Sequence, residues 1–302
     1  MLATRALVAT PRIPRLGILL IVMIAFGWGM NWPAMKIALE EIPPWTFRVV
    51  CIAIAASLLL AITRVNGERV AIAPRQIPAL LLVALFSVVG WQMFSAFGLL
   101  YIGSGRAAII AFTMPIWATA LSILFLGEHL RVRQIAALAL GMAGLGLLMS
   151  DEVAAVGNAP LGGALMVAAA LSWAIGTILV KKLDWGGIPV TAFSGWQLLV
   201  GGLPLLVGWA LLEPWPDFFA WSLEAWIGML FASVVGMVFC VTGYFKLLTL
   251  VSASVAATGT VAVPVVGVVS SALILGEPIG LPEIAALLLV LGALVLLLWQ
   301  RR

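Results

Sequence analysis

The sequence predicts an all-α integral membrane protein of ten transmembrane helices in two inverted five-helix repeats, with N- and C-termini cytoplasmic. Three observations lead there. The 302 residues are 64% hydrophobic and only 9% charged, whereas a soluble domain carries roughly 25% charged residues; mean hydropathy is +1.21. The apolar residues gather into ten stretches close to the length of about 20 residues that a bilayer demands. Segments 145 and 149 residues apart also repeat one another.

Leu16–Leu39 is the first span. Arg5, Arg12 and Arg15 ahead of it imitate the basic flank of a signal peptide. The run continues through Gly27-Trp28-Gly29-Met30-Asn31-Trp32 with no small-x-small cleavage site, so it reads as a retained helix behind a cytoplasmic segment, 1–15. Trp45–Ile62 follows Pro43-Pro44 and closes at the turn pair Asn66-Gly67. Ile77–Tyr101 and Ser104–Leu126 are parted by Gly103-Ser104-Gly105, and Gln134–Met149 completes a first repeat, 16–150. Gly157-Asn158-Ala159-Pro160 leads into Leu161–Val180. Gly186-Gly187 separates it from Val190–Leu211. Leu223–Leu248, Ser252–Leu275 and Leu281–Trp299 finish a second repeat, 151–302.

Charge tests the count. With the N-terminus inside, thirteen of the sixteen basic residues fall on the cytoplasmic side: Arg5, Arg12, Arg15, Arg64, Arg69, Arg75, Arg131, Arg133, Lys181, Lys182, Lys246, Arg301 and Arg302. Lys36, Arg48 and Arg106 fall on the outer half, together with most of the acids, among them Glu40, Glu41, Glu213 and Asp217. A missed or invented helix would scramble that asymmetry.

At an offset of 149, Pro115 matches Pro264 and Leu-Phe-Leu-Gly-Glu at 124–128 matches Leu-Ile-Leu-Gly-Glu at 273–277. At 145, Trp28 matches Trp173, Lys36 matches Lys181 and Pro44 matches Pro189. The change of offset is expected to lie in the loops. Five helices per half is an odd number, so the halves must insert in opposite senses. Inverted repeats of this kind serve alternating access in secondary transporters.

Trp28-Gly29-x-Asn31 with Lys36, Arg48, and the doubled Pro115…Gly127-Glu128 and Pro264…Gly276-Glu277 resemble the drug/metabolite transporter superfamily in its ten-helix EamA-type branch. The resemblance covers nearly the whole chain. It implies a cell inner membrane location and a central cavity lined by helices one, three, four, six, eight and nine. The Trp-rich cavity helices look like the branch exporting aromatic and other neutral amino acids. Small multidrug-resistance relatives use a glutamate in the first helix; Leu16 to Leu39 holds no acid, which disfavours their cation exchange.

Polar and aromatic side chains at membrane depth are the candidates for substrate contact, because they are costly there without a partner. They are Trp28, Asn31, Trp32 and Lys36 on the first helix, Trp91, Gln92 and Ser95 on the third, and Thr113 and Trp117 on the fourth. Trp173 and Thr177 on the sixth, Tyr244 on the eighth, and Thr258 and Thr260 on the ninth complete the set. Pro33, Pro115 and Pro264 are candidate hinges, since proline frees backbone carbonyls. Trp196 reads as another deep aromatic, and Trp45, Trp185, Trp215, Trp221 and Trp299 as an interfacial belt. Lys36 or Arg48 would neutralise a substrate carboxylate or a nearby acid, unless it simply snorkels to water. Glu128 and Glu277 read as structural.

Other chemistries find no support. There is one histidine, His129, no Walker-type loop and no Ser/His/Asp set, so no metal, cofactor or enzymatic role is expected. Cys51 and Cys240 read as small core residues. The scattered basic residues exclude nucleic acid as a partner. Partners are a small-molecule substrate and the lipid bilayer, and the working unit is expected to be a monomer. The reading is an exporter of amino acids or similar metabolites, with a multidrug exporter and a non-transporting scaffold or sensor as its rivals.

Overall fold

The computed structural model describes residues 13–101, 110–148, 160–276 and 280–298. The turn at 103–105, Arg106, the 157–159 linker, Asp151, Glu152, Glu277, Trp299 and the terminal arginines Arg5, Arg12, Arg301 and Arg302 lie outside them.

Among the described residues the chain forms ten helices and no strand. They are α1 (Arg15–Leu39), α2 (Pro44–Val65), α3 (77–101), α4 (Met114–Leu126), α5 (Val132–Leu148), α6 (Pro160–Lys182), α7 (Val190–Leu212), α8 (Leu223–Leu250), α9 (Ala253–Leu275) and α10 (Leu281–Leu298). Seven segments are long and apolar enough to cross a membrane, and α4, α5 and α10 are shorter apolar helices. At about 1.5 Å per residue, the 25 residues of α1 more than span a bilayer core of roughly 30 Å.

Apolar side chains face outward as well as inward, as a lipid solvent permits. On α10, Leu281, Ile284, Leu288, Leu291 and Val295 form an exposed stripe at helical spacing, while Ala286, Val290, Ala293 and Leu297 are buried. The buried stripe packs on α5. A Cβ on Gly144 would lie 3.1 Å from the Ala286 carbonyl, and one on Gly141 would meet Val261 at 2.5 Å. These glycines permit close helix packing.

The neighbour relations come in pairs. α1 packs on α9 and α8, while α6 packs on α4 and α3; α2 lies along α7, and α5 along α10. Helix irregularities recur with them. Leu85–Gly90 in α3 and Ala232–Val241 in α8 are wide π-helical stretches. The chain turns just before Met114-Pro115, and Thr260–Ala262 tightens to 3₁₀ geometry just before Val263-Pro264. Gly127 and Gly276 end α4 and α9 at φ of 65° and 71°, a left-handed conformation that a Cβ disfavours. The π stretch is six residues in α3 and ten in α8. The change in repeat spacing is thus not confined to the loops, as the sequence reading had it.

Carboxylates fasten helix ends across the chain. Glu128, just after α4, accepts hydrogen bonds from the Ala253 and Ser254 amides (2.8 and 3.2 Å) and the Ser254 hydroxyl (2.7 Å) at the start of α9. Glu213, after α7, does the same for the Trp45 and Thr46 amides and the Thr46 hydroxyl at the start of α2. Glu41, after α1, receives the Ser222 amide and hydroxyl ahead of α8. Each satisfies amides that the helix leaves unpaired and sits at the positive end of its dipole.

Candidate functional site

The wide turns bring the middle of the molecule together. A carbonyl oxygen has two lone pairs, so one in these wide stretches can accept a side chain from a neighbouring helix besides its backbone partner. The Gly236 carbonyl in α8 accepts the indole N–H of Trp28 on α1 at 2.9 Å. The Phe86 carbonyl in α3 accepts the Ser172 hydroxyl of α6 at 2.8 Å. Glycine makes both crossings tight. A Cβ on Gly176 would fall 1.9 Å from the Ser87 hydroxyl, and one on Gly27 would fall 2.4 Å from the Cys240 sulfur.

Four aromatic rings from four helices meet at this level. Trp173 of α6 stands edge-on to Trp28 of α1 (6.0 Å between centroids) and to Trp91 of α3 (5.6 Å). Tyr244 of α8 lies 5.8 Å from Trp28 and 6.0 Å from Trp173. Tyr244 is fully buried, and its hydroxyl is 3.3 Å from that of Thr177. Such geometries suit the ring quadrupoles. From this cage a run of rings continues through Phe245 and Phe193 to Trp185, with successive centroids 6.2, 5.3 and 4.3 Å apart. It ends at a groove of about 290 Å³ where Lys181, Leu248 and Thr249 also line the wall. A second cleft, about 240 Å³ between α1, α8 and α9, contains none of the cage residues.

Of the residues the sequence singles out, Trp28, Trp91, Trp173, Thr177 and Tyr244 come together. Asn31 lies one helical turn from Trp28; its amide N–H reaches the Met35 sulfur at 3.1 Å, and its carbonyl oxygen is buried without a partner. Gln92, beside Trp91, accepts hydrogen bonds at its backbone carbonyl from Arg48 (2.6 Å) and Ser95 (3.3 Å). Trp32 is half exposed, against Phe112 at 6.1 Å and beside Gly267 of α9. Trp117 donates to the Thr113 hydroxyl (3.1 Å), itself bonded to the Ile110 carbonyl. Thr258 and Thr260 are buried and return their hydroxyls to their own helix at Ser254 and Ala257. Lys36 is exposed near the end of α1. Pro33 sits inside an uninterrupted α1, while Pro115 and Pro264 each start a helical segment.

Trp196 is not simply deep, because its indole N–H bonds the Val70 carbonyl in the segment after α2. Trp185, just past the end of α6, packs on Phe193 at the end of the aromatic run. Sequence reasoning also missed Phe112, which packs with Trp28 and Val263, and the Gly236 carbonyl, which no side-chain pattern marks.

The EamA-like transporter family model matches residues 15–150 and again 160–299. The chain belongs to this family. The uncharacterized transporter YoaV of Bacillus subtilis is 28% identical over 271 residues, covering 89% of this chain and 92% of YoaV. YvbV of the same organism, also an uncharacterized transporter, is 29% identical over 285 residues, 92% of this chain and 90% of that one. The uncharacterized inner membrane transporter YedA of Escherichia coli K12 is 26% identical over 274 residues, with 89% of this chain and 86% of YedA covered. A protein of known crystal structure shares the fold at a TM-score of 0.79 over 93% of this chain and 95% of its own, with 16% sequence identity. This EamA-like chain is therefore a multi-pass membrane protein and a secondary transporter of small solutes.

Proposed function

We propose that this EamA-like transporter exports amino acids, aromatic and other neutral ones, or similar small zwitterionic metabolites. It works by alternating access between two inverted five-helix repeats, 16–150 and 151–302, with both termini in the cytoplasm. The cage of Trp28, Trp91, Trp173 and Tyr244 carries the reading. Trp28, Trp91 and Trp173 stand near the middle of their helices, and the cage rings offer the apolar walls that an aromatic side chain gains from most.

Several observations support the two-repeat arrangement. Trp28 and Trp173, 145 residues apart, meet edge-on at the centre. The pairings α1 with α9 and α8, and α6 with α4 and α3, exchange under a shift of five helices. The π stretches, the breaks before Pro115 and Pro264 and the left-handed glycines follow the same shift. The Lys and Arg asymmetry supports cytoplasmic termini. Pro33, Pro115 and Pro264 are the positions at which the helices would flex.

Reconstitution in liposomes tests the substrate class. Labelled tryptophan, phenylalanine, threonine and methionine are expected to show saturable flux, with tryptophan flux lost in Trp91→Ala. Absence of flux for all four, with and without a proton gradient, would refute the amino-acid assignment and favour a multidrug role.

A further inference from the structure

Arg48 is a cation with too few partners. It lies in the second turn of α2, half buried, and α2 packs on α1, α7 and α8 rather than on α3. Its side chain nevertheless crosses to α3 and donates one N–H to the Gln92 carbonyl at 2.6 Å. A guanidinium carries five donors. Among the described residues no carboxylate pairs with Arg48 or acts on it electrostatically. Glu213, at this end of α2, turns both oxygens to Trp45 and Thr46 instead. The positive end of the α2 dipole adds to the cost of holding the charge there. A cation kept at membrane depth under those conditions needs an anion supplied from elsewhere.

The surroundings say what kind. Gln92 follows Trp91 in α3, and Asn31, with its unpartnered buried oxygen, is one turn from Trp28 in α1 and packs against Gly236 of the π stretch. Arg48, through Gln92 beside Trp91, and Asn31, one turn from Trp28, thus each adjoin the aromatic cage. We propose that Arg48 binds the carboxylate of the solute whose apolar body occupies the cage, while the unpartnered Asn31 oxygen takes its ammonium. Arg48 thereby selects carboxylates and zwitterions and repels simple amines and cationic drugs. This inference rests on the reading that the cage holds the solute.

The test is direct binding to the purified full-length chain in detergent, followed by isothermal titration calorimetry, so that it does not depend on flux. The probes are tryptophan, indole-3-propionate and tryptamine, which share the indole and differ in carboxylate and amine. Wild type is expected to bind the first two and bind tryptamine at least tenfold more weakly. Arg48→Gln is expected to weaken both carboxylates by about tenfold or more and leave tryptamine unchanged or improved. Arg48→Lys keeps the charge without the planar fork and falls between. Equal binding of tryptamine and indole-3-propionate by wild type overturns the proposal, and decides it even where Arg48→Gln does not fold. Unaltered carboxylate affinity in a folded Arg48→Gln also overturns it. Carboxylate-selective binding lost in Arg48→Gln without any liposome flux would uphold the anion site and refute export. Flux without carboxylate selectivity would do the reverse.

Discussion

Replacing Glu128 should loosen the place where four helix ends meet. Its carboxylate takes two amides and a hydroxyl at the start of α9. Lys181, at the end of α6, donates to the Leu248 and Val251 carbonyls that finish α8, and Glu128 acts on it as a counter-charge. In Glu128→Gln one acceptor oxygen becomes an NH₂ that faces a donor, whichever way the amide turns. One charge-assisted hydrogen bond of about 1.5–3 kcal/mol is lost, and the interaction with the helix dipole, about 0.3–1 kcal/mol, goes with it. Glu128 is only half buried, so the lower end applies, about 2 kcal/mol. That corresponds to a fall in the apparent unfolding temperature of a few degrees. Glu128→Ala, which removes both oxygens, should fall further. Tryptophan-fluorescence melts of the purified protein in detergent measure both. Wild-type melting temperatures in both variants would refute the claim that this carboxylate fastens α4 to α9.

Gly228→Ala places a Cβ 2.4 Å from the backbone carbonyl oxygen of Ala34, an atom that cannot swing aside. It should destabilise by about 1–3 kcal/mol, whereas Gly146→Ala on α5, with nothing within 4 Å, should be neutral or stabilising by about 0.5–1 kcal/mol; melts of the two variants give the comparison. Hydrogen bonds from the Ser222 hydroxyl and then its amide hold the Glu41 carboxyl below its ordinary value of 4.5. A carboxyl depressed in the folded state contributes stability above its unfolded value and loses it as pH falls through the folded one. Stability should therefore drop below pH 4.5, less steeply in Glu41→Gln, and identical acid profiles for the two proteins would contradict the contact. Cys51 and Cys240 are both fully buried, so a hydrophilic maleimide should label neither until the protein is denatured, as mass spectrometry would show.

The membrane class and the helix count were legible because the bilayer imposes them: a span has to be apolar along its length, and that is a property of local sequence. Trp28, Trp91, Trp173 and Tyr244 were legible for a related reason, as large amphipathic rings well inside apolar runs. Their grouping was less so. Thr258 and Thr260 belong to the same class of intramembrane hydroxyl as Thr177, yet they bond their own helix while Thr177 reaches Tyr244. Only the rotation of each helix decides between the two, and a helix apolar all round carries little signal of rotation. Trp185 shows the limit from the other side. Near a span end it reads as an anchor, but Phe193 and Phe245 draw it into the aromatic run.

The wide turns in α3 and α8 also bear on how this chain should be laid beside its relatives. A π turn takes up one residue more than an α turn, so the segments on either side of it are out of phase by about a third of a rotation. A homologue with ordinary winding at 85–90 or 232–241 would keep the same inward faces above and below while lacking one residue between them. A single-residue gap inside a transmembrane helix is then the correct alignment there, not an error to be smoothed away. Forcing the helix through without it would assign every position beyond the gap to the wrong side.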